Sequence, residues 1–182
     1  MRISMVVFCF MVNVIPVFSA DTTLHYYTPL DDTQGAIVFK KQGDCVSQSL
    51  LIKREDAWLC VAEGQTYDPC FVPRFGSHLE ATCVSSPWSN EYIHITVSAP
   101  LDNHAHQTID MSRTYPWAVK LTQGEMCQAI DSHKLIEDLP VRYRCEDGSE
   151  LFGHVQRCHS NWKMLKHSSK GVETVEMANV WF

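Results

Sequence analysis

Val141-Arg142-Tyr143-Arg144-Cys145, then Asp147-Gly148, then Leu151-Phe152-Gly153-His154-Val155: this stretch decides the fold. Two runs carrying alternate apolar residues flank an Asp-Gly pair, the strongest short-range signal of a β-hairpin. Downstream, Trp162-Lys163-Met164-Leu165-Lys166 and the run from Glu173 to Phe182 flank Ser168-Ser169-Lys170-Gly171, a second hairpin pattern. Upstream, Trp117-Ala118-Val119-Lys120-Leu121 alternates and stops at Gln123-Gly124. Further upstream, Glu91-Tyr92-Ile93-His94-Ile95-Thr96-Val97-Ser98 is rich in β-branched residues. Helical signal is scarce; residues 127–136 have room for one turn or two. The pattern predicts a mainly β protein, with a β-rich α+β arrangement as the variant. Its antiparallel sheets fall in two disulfide-stapled halves.

The chain begins Met1-Arg2-Ile3-Ser4-Met5, runs apolar from Val6 to Phe18, and reaches Ser19-Ala20 before Asp21. A positive start, a short apolar run and a small-residue exit form a signal-peptidase pattern, so residues 1–20 read as a cleaved leader. The apolar run falls short of the ~20 residues that a membrane-spanning helix needs. A lipoprotein is rejected, because Val7-Phe8 precede Cys9 where small residues belong. Beyond the leader, residues 21–99 form an N-terminal cysteine-rich half and 115–182 a C-terminal antiparallel half. The polar, turn-rich stretch 100–114 between them reads as a linker or long loop.

The full chain has 182 residues and a net charge of −6; losing the leader removes Arg2 and no acid, which takes the charge to −7. No basic cluster stands ready for phosphates, so nucleic acid and anionic membrane surfaces are poor partners.

Seven cysteines follow the leader: Cys45, Cys60, Cys70, Cys83, Cys127, Cys145 and Cys158. In an exported protein they read first as disulfides. Zinc favours closer pairs than the Cys60–Cys70 spacing, the tightest here. Among the connectivities that seven cysteines allow, local pairing favours Cys45–Cys60, Cys70–Cys83 and Cys127–Cys145. Cys158 is then free or bridged between chains.

Several short motifs recur in a recognisable order. They are Asp56-Ala57-Trp58 with Cys60, Asp68-Pro69-Cys70-Phe71, and Cys83 with Pro87-Trp88. Pro116-Trp117 with Gly124 and Cys127, Tyr143-x-Cys145, Gly153, Trp162 and Val180-Trp181-Phe182 complete the order. This resembles a family of exported, disulfide-containing bacterial proteins, best represented in actinobacteria and without an assigned activity. The resemblance covers about residues 40–182. It implies extracytoplasmic placement and the first six cysteines as a framework, and it carries over no catalytic residue. The chain differs from the pattern in having Cys158 and in lacking a lipid-attachment cysteine.

Chemistry-bearing constellations are sparse. His104 and His106 flank Ala105, and residues two apart in an extended segment share a side, so the pair is a weak candidate for one metal ion. Cys158-His159, with His154 nearby, carries the residue types of a nucleophile and base, but strand neighbours face opposite ways. No G-x-S-x-G elbow or phosphate-binding glycine loop occurs. Five tryptophans suit a core beside disulfides, and Trp88, in the loop-like Pro87-Trp88-Ser89-Asn90, is the candidate binding surface.

These features read as an exported, non-catalytic binding protein of the bacterial envelope or extracellular space, a virulence role included. No cofactor is expected. The expected partner is a protein or glycan outside the cytosol, without stable membrane insertion. An envelope hydrolase with a metal at His104 and His106, and a small periplasmic enzyme inhibitor, are the alternatives.

Overall fold

Thirteen strands and no helix occur among the described residues of a computed structural model, which are residues 20–29, 37–73, 75–76 and 78–182. The leader expected over residues 1–20 lies outside them apart from Ala20, which is exposed. The strands of the first half are β1 (Thr23–His25), β2 (Ile37–Gln48), β3 (Ala57–Ala62), β4 (Gln65–Phe71), β5 (Glu80–Val84) and β6 (Glu91–Thr96). The second half holds β7 (Ala118–Leu121), β8 (Met126–Ala129), β9 (Leu135–Ile136), β10 (Leu139–Cys145), β11 (Glu150–Gln156), β12 (Lys163–Ser168) and β13 (Gly171–Trp181).

Each half closes on itself except at β1, which leaves the first half to pair in parallel with β13, so the second sheet takes in a strand from residues 21–99 and is not wholly antiparallel. β2 to β6 form a five-stranded barrel. A meander with an odd number of strands can close only through one parallel pair, and β2 meets β6 in parallel. In the second half β7, β8, β10, β11, β12 and β13 make an even ring, and its closing pair, β13 with β7, is antiparallel. Closure removes the unpaired edges that invite aggregation. The Asp147-Gly148 turn works as the sequence predicts: Gly148, at φ 80°, takes the left-handed conformation that joins β10 to β11.

Helix is not formed over 127–136. There β8 is hydrogen-bonded on both sides, with Cys127 opposite Val119 of β7 and opposite Cys145 of β10. Pairing with two neighbours and burial of Cys127 override the weak local preference.

The first barrel has a small interior of Trp58, Cys60, Cys70, Ala81, Cys83 and Ile95. Its outer residues Ala57, Phe71, Val84 and Tyr92 instead join Trp117, Tyr143, Met177 and Phe182 in the core of the second half. Tyr27, Phe71 and Trp117 meet pairwise with ring centroids 5.4–6.0 Å apart. The two barrels therefore share one apolar core. The segment 100–114 is pinned across both. Gln48 Nε2 donates to Gln107 O (2.8 Å), Trp58 Nε1 to Asn103 Oδ1 (2.8 Å), and Arg157 to the carbonyls of Met111 (2.9 Å) and Thr114 (2.7 Å).

Candidate inter-barrel binding cleft

Every bridge in the structure joins two cysteines that face each other across adjacent strands. Cys45–Cys60 links β2 to β3, Cys70–Cys83 links β4 to β5, and Cys127–Cys145 links β8 to β10. Cys158 is free and exposed, in the bend after β11. Among the described residues, the sulfurs of Cys60, Cys70 and Cys83 are the one group of three metal-capable atoms within 4.8 Å of one another, and all three are taken up in disulfides.

His104 and His106 have separate surroundings. The His104 side chain is 98% exposed, 4.0 Å from Asp102. The His106 ring lies 4.2 Å from that of Trp58, with Nδ1 2.9 Å from the carbonyl of Glu55. Trp88 is partly buried against the shared core, edge-on to Trp181 at 5.7 Å. His25 stacks on that same Trp181 ring at 5.1 Å. His154 turns to Tyr115, whose hydroxyl is 3.0 Å from its Nδ1, while Cys158 and His159 are exposed.

A different group of residues lines a cleft at the joint. This cleft, of about 570 Å³, opens between the barrels, with Lys53 on one wall, Tyr115, Asp131 and Arg142 on the other, and Asp110 and Arg113 from the connecting segment. Volumes of ~300–1,000 Å³ are usual for ligand sites. Arg142, on β10, lies with its guanidinium carbon 4.1 Å from the Tyr115 ring centroid, and its Nε donates to Gly153 O (3.0 Å). Arg157 approaches the same ring at 5.8 Å. Stacking on an aromatic face and one main-chain bond fix the Arg142 fork before any ligand arrives. Beneath it, buried Tyr143 donates its hydroxyl proton to Pro116 O (2.7 Å), and burial pushes that phenol's pKa upward.

The polar groups of the cleft are unequally committed. Asp110 Oδ1 accepts from the Ser112 hydroxyl (2.5 Å) and amide (3.0 Å), and Arg113 Nε lies 3.7 Å from Oδ2. The Ser112 hydroxyl is the main cause that holds Asp110 below the usual carboxylate range. Lys53 donates to Ser49 O (2.9 Å). The Nη groups of Arg142 have no acceptor among the described residues.

None of these residues forms a local motif. In the sequence Arg142 falls between Val141 and Tyr143 of an alternating run, and Tyr115 at the start of the second half. Only closure of the barrels sets them beside Lys53. One local signal existed: the alternation of β10, which places Arg142 on the face opposite Val141 and Tyr143. No family model, curated protein or solved structure matches the chain.

Proposed function

We propose that the chain is an exported, non-catalytic binding protein of the bacterial envelope or extracellular space, and that it seats a protein or glycan partner in the cleft between its barrels. The observation that carries this reading is Arg142, preset on Tyr115 at the cleft wall with its Nη donors unused among the described residues. Groups fixed in advance lose little freedom on binding, which favours recognition. Export is supported by the leader pattern, by three disulfides, and by the resemblance to exported bacterial proteins. No helix among the described residues is long and apolar enough to cross a membrane. An enzyme held in the cleft would make the protein an inhibitor.

The test is capture. The oxidised protein, immobilised and exposed to envelope and host extracts, is expected to retain one partner stoichiometrically. Thr108→Trp, which fills the cleft from an exposed lining position, is expected to release it. Equal retention by both forms would move the binding site elsewhere, and turnover of a captured substrate would overturn the non-catalytic reading.

A further inference from the structure

We infer that the cleft takes an acidic peptide segment, whose carboxylates are held by Arg142 of the second barrel and Lys53 of the first; this rests on the binding reading above. The donor balance leads there. Asp110 has both oxygens engaged, by Ser112 and Arg113, so it offers a ligand little. Among the described residues Arg142 keeps its Nη donors and Lys53 uses one of three, while Arg113 is paired with Asp110. Asp131, exposed on the lining, is the one uncommitted acid. Unused capacity in the cleft is therefore mainly cationic, in a chain whose net charge is −6.

The surrounding charge restricts the anion. A long polyanion would meet the acidic remainder of the protein, whereas a short carboxylate-bearing segment meets the cleft alone. A planar guanidinium held over a ring presents a fork that matches a carboxylate. A sugar is less well served. Arg142 lies over the Tyr115 ring, with Arg157 also near it, and Tyr143 is buried, so the lining aromatics compete poorly for a pyranose. Leu50, half exposed on the lining, gives apolar contact for a peptide side chain.

The probe is a labelled peptide alternating Glu and Leu, with its Gln/Leu counterpart and oligogalacturonate beside it, each titrated into the oxidised protein by fluorescence anisotropy or competition. The Glu peptide is expected to saturate, to bind about tenfold tighter than the Gln peptide, and to weaken as salt rises. Arg142→Ala should lose about tenfold and Lys53→Met severalfold, while Arg142→Lys recovers only part, because an ammonium lacks the fork. Thermal melts confirm that each variant is folded; should Arg142→Ala not fold, Lys53→Met, at an exposed position, decides. Equal binding of the Glu and Gln peptides, binding of oligogalacturonate alone, or wild-type affinity in the folded variants overturns the inference. A captured partner that Thr108→Trp releases but whose contact segment has no acidic residues sinks this inference and leaves the binding reading standing. Failure of every probe and every partner at the cleft sinks both.

Discussion

Arg54 is fully buried and donates through Nε and Nη2 to the two carboxylate oxygens of Asp56, at 2.6 and 2.5 Å. Its Nη1 donates to the main-chain oxygens of Tyr27 (2.7 Å) and Phe182 (2.8 Å), and the guanidinium packs over Phe71 at 4.6 Å. One side chain thus ties the start of β3 to the segments flanking β1 and β13. Asp56→Ala would leave a buried cation without its counter-charge, a loss of about 3–5 kcal/mol. Urea unfolding of the two forms should show a lower midpoint at unchanged slope. A midpoint within error of wild type would mean that solvent reaches the Arg54 site.

Acid should weaken the second barrel first. Lys166 Nζ, buried, lies 2.7 Å from Glu125 Oε1 and 3.4 Å from Asp147 Oδ2. Glu125 is held below the ordinary range chiefly by Lys166, and Asp147 chiefly by the Ser149 hydroxyl. A depressed carboxylate stabilises the fold above its unfolded pKa, near 4, and that stabilisation fades as pH falls through the folded value. Asp68 works in the opposite sense. Burial raises its pKa, so its contribution is greatest at low pH and is lost as pH rises. Melting temperature should therefore fall below about pH 4. Lys166→Met should flatten that acid limb, and Asp68→Asn should steepen it. Parallel limbs in all three proteins would contradict the assignment.

Much of the second barrel was legible, because its strands alternate clearly and three of its turns carry glycine, at Gly124, Gly148 and Gly171. β7, β10, β11, β12 and β13 all fall where alternation predicts them, within one or two residues. The first barrel was legible only at β6. β2 hides its period: Lys40, Lys41, Gln42, Gly43 and Asp44 are polar on both faces, since the strand's first half lies on the exposed rim. β4 carries Pro69, which reads as a strand end. Partner geometry was illegible for a different reason. Tyr115, Arg142 and Lys53 converge through tertiary packing, whereas Trp88, the residue singled out from its loop-like neighbours, is packed beside Trp181.

Gly43 marks the point where β2 changes partner, from β6 along 37–42 to β3 from Gly43 onward. A Cβ there would lie 2.4 Å from Val61 O and 2.8 Å from Ala62 Cβ, so β2 and β3 would have to separate. Gly43→Ala should cost roughly 1–3 kcal/mol, the range for overpacking. Asp44→Ala, at the exposed next position, should cost under 1 kcal/mol, as surface changes do. Chemical denaturation of the pair reads the difference; equal stabilities would show that the ladder absorbs a methyl.

The staples give the last prediction. Cys127 has no exposed surface and sits opposite Cys145, and their bridge closes a sequence separation of 18. A loop of that size adds about 3 kcal/mol by restricting the unfolded chain, and losing a native bridge typically costs 2–5 kcal/mol. Cys127→Ser should therefore lower both the unfolding midpoint and the yield of folded protein. Cys158 is exposed beyond β11 and bridges no other cysteine in the structure, so Cys158→Ser should leave the midpoint unchanged. It should also abolish any disulfide-linked dimer that forms on oxidation, since Cys158 is the one free thiol among the described residues. Peptide mapping under non-reducing conditions reads all of this at once, with Cys45–Cys60, Cys70–Cys83 and Cys127–Cys145 as the bridged peptides expected. Recovery of Cys158 joined to Cys127 or Cys145 within one chain would show that the second barrel is stapled differently.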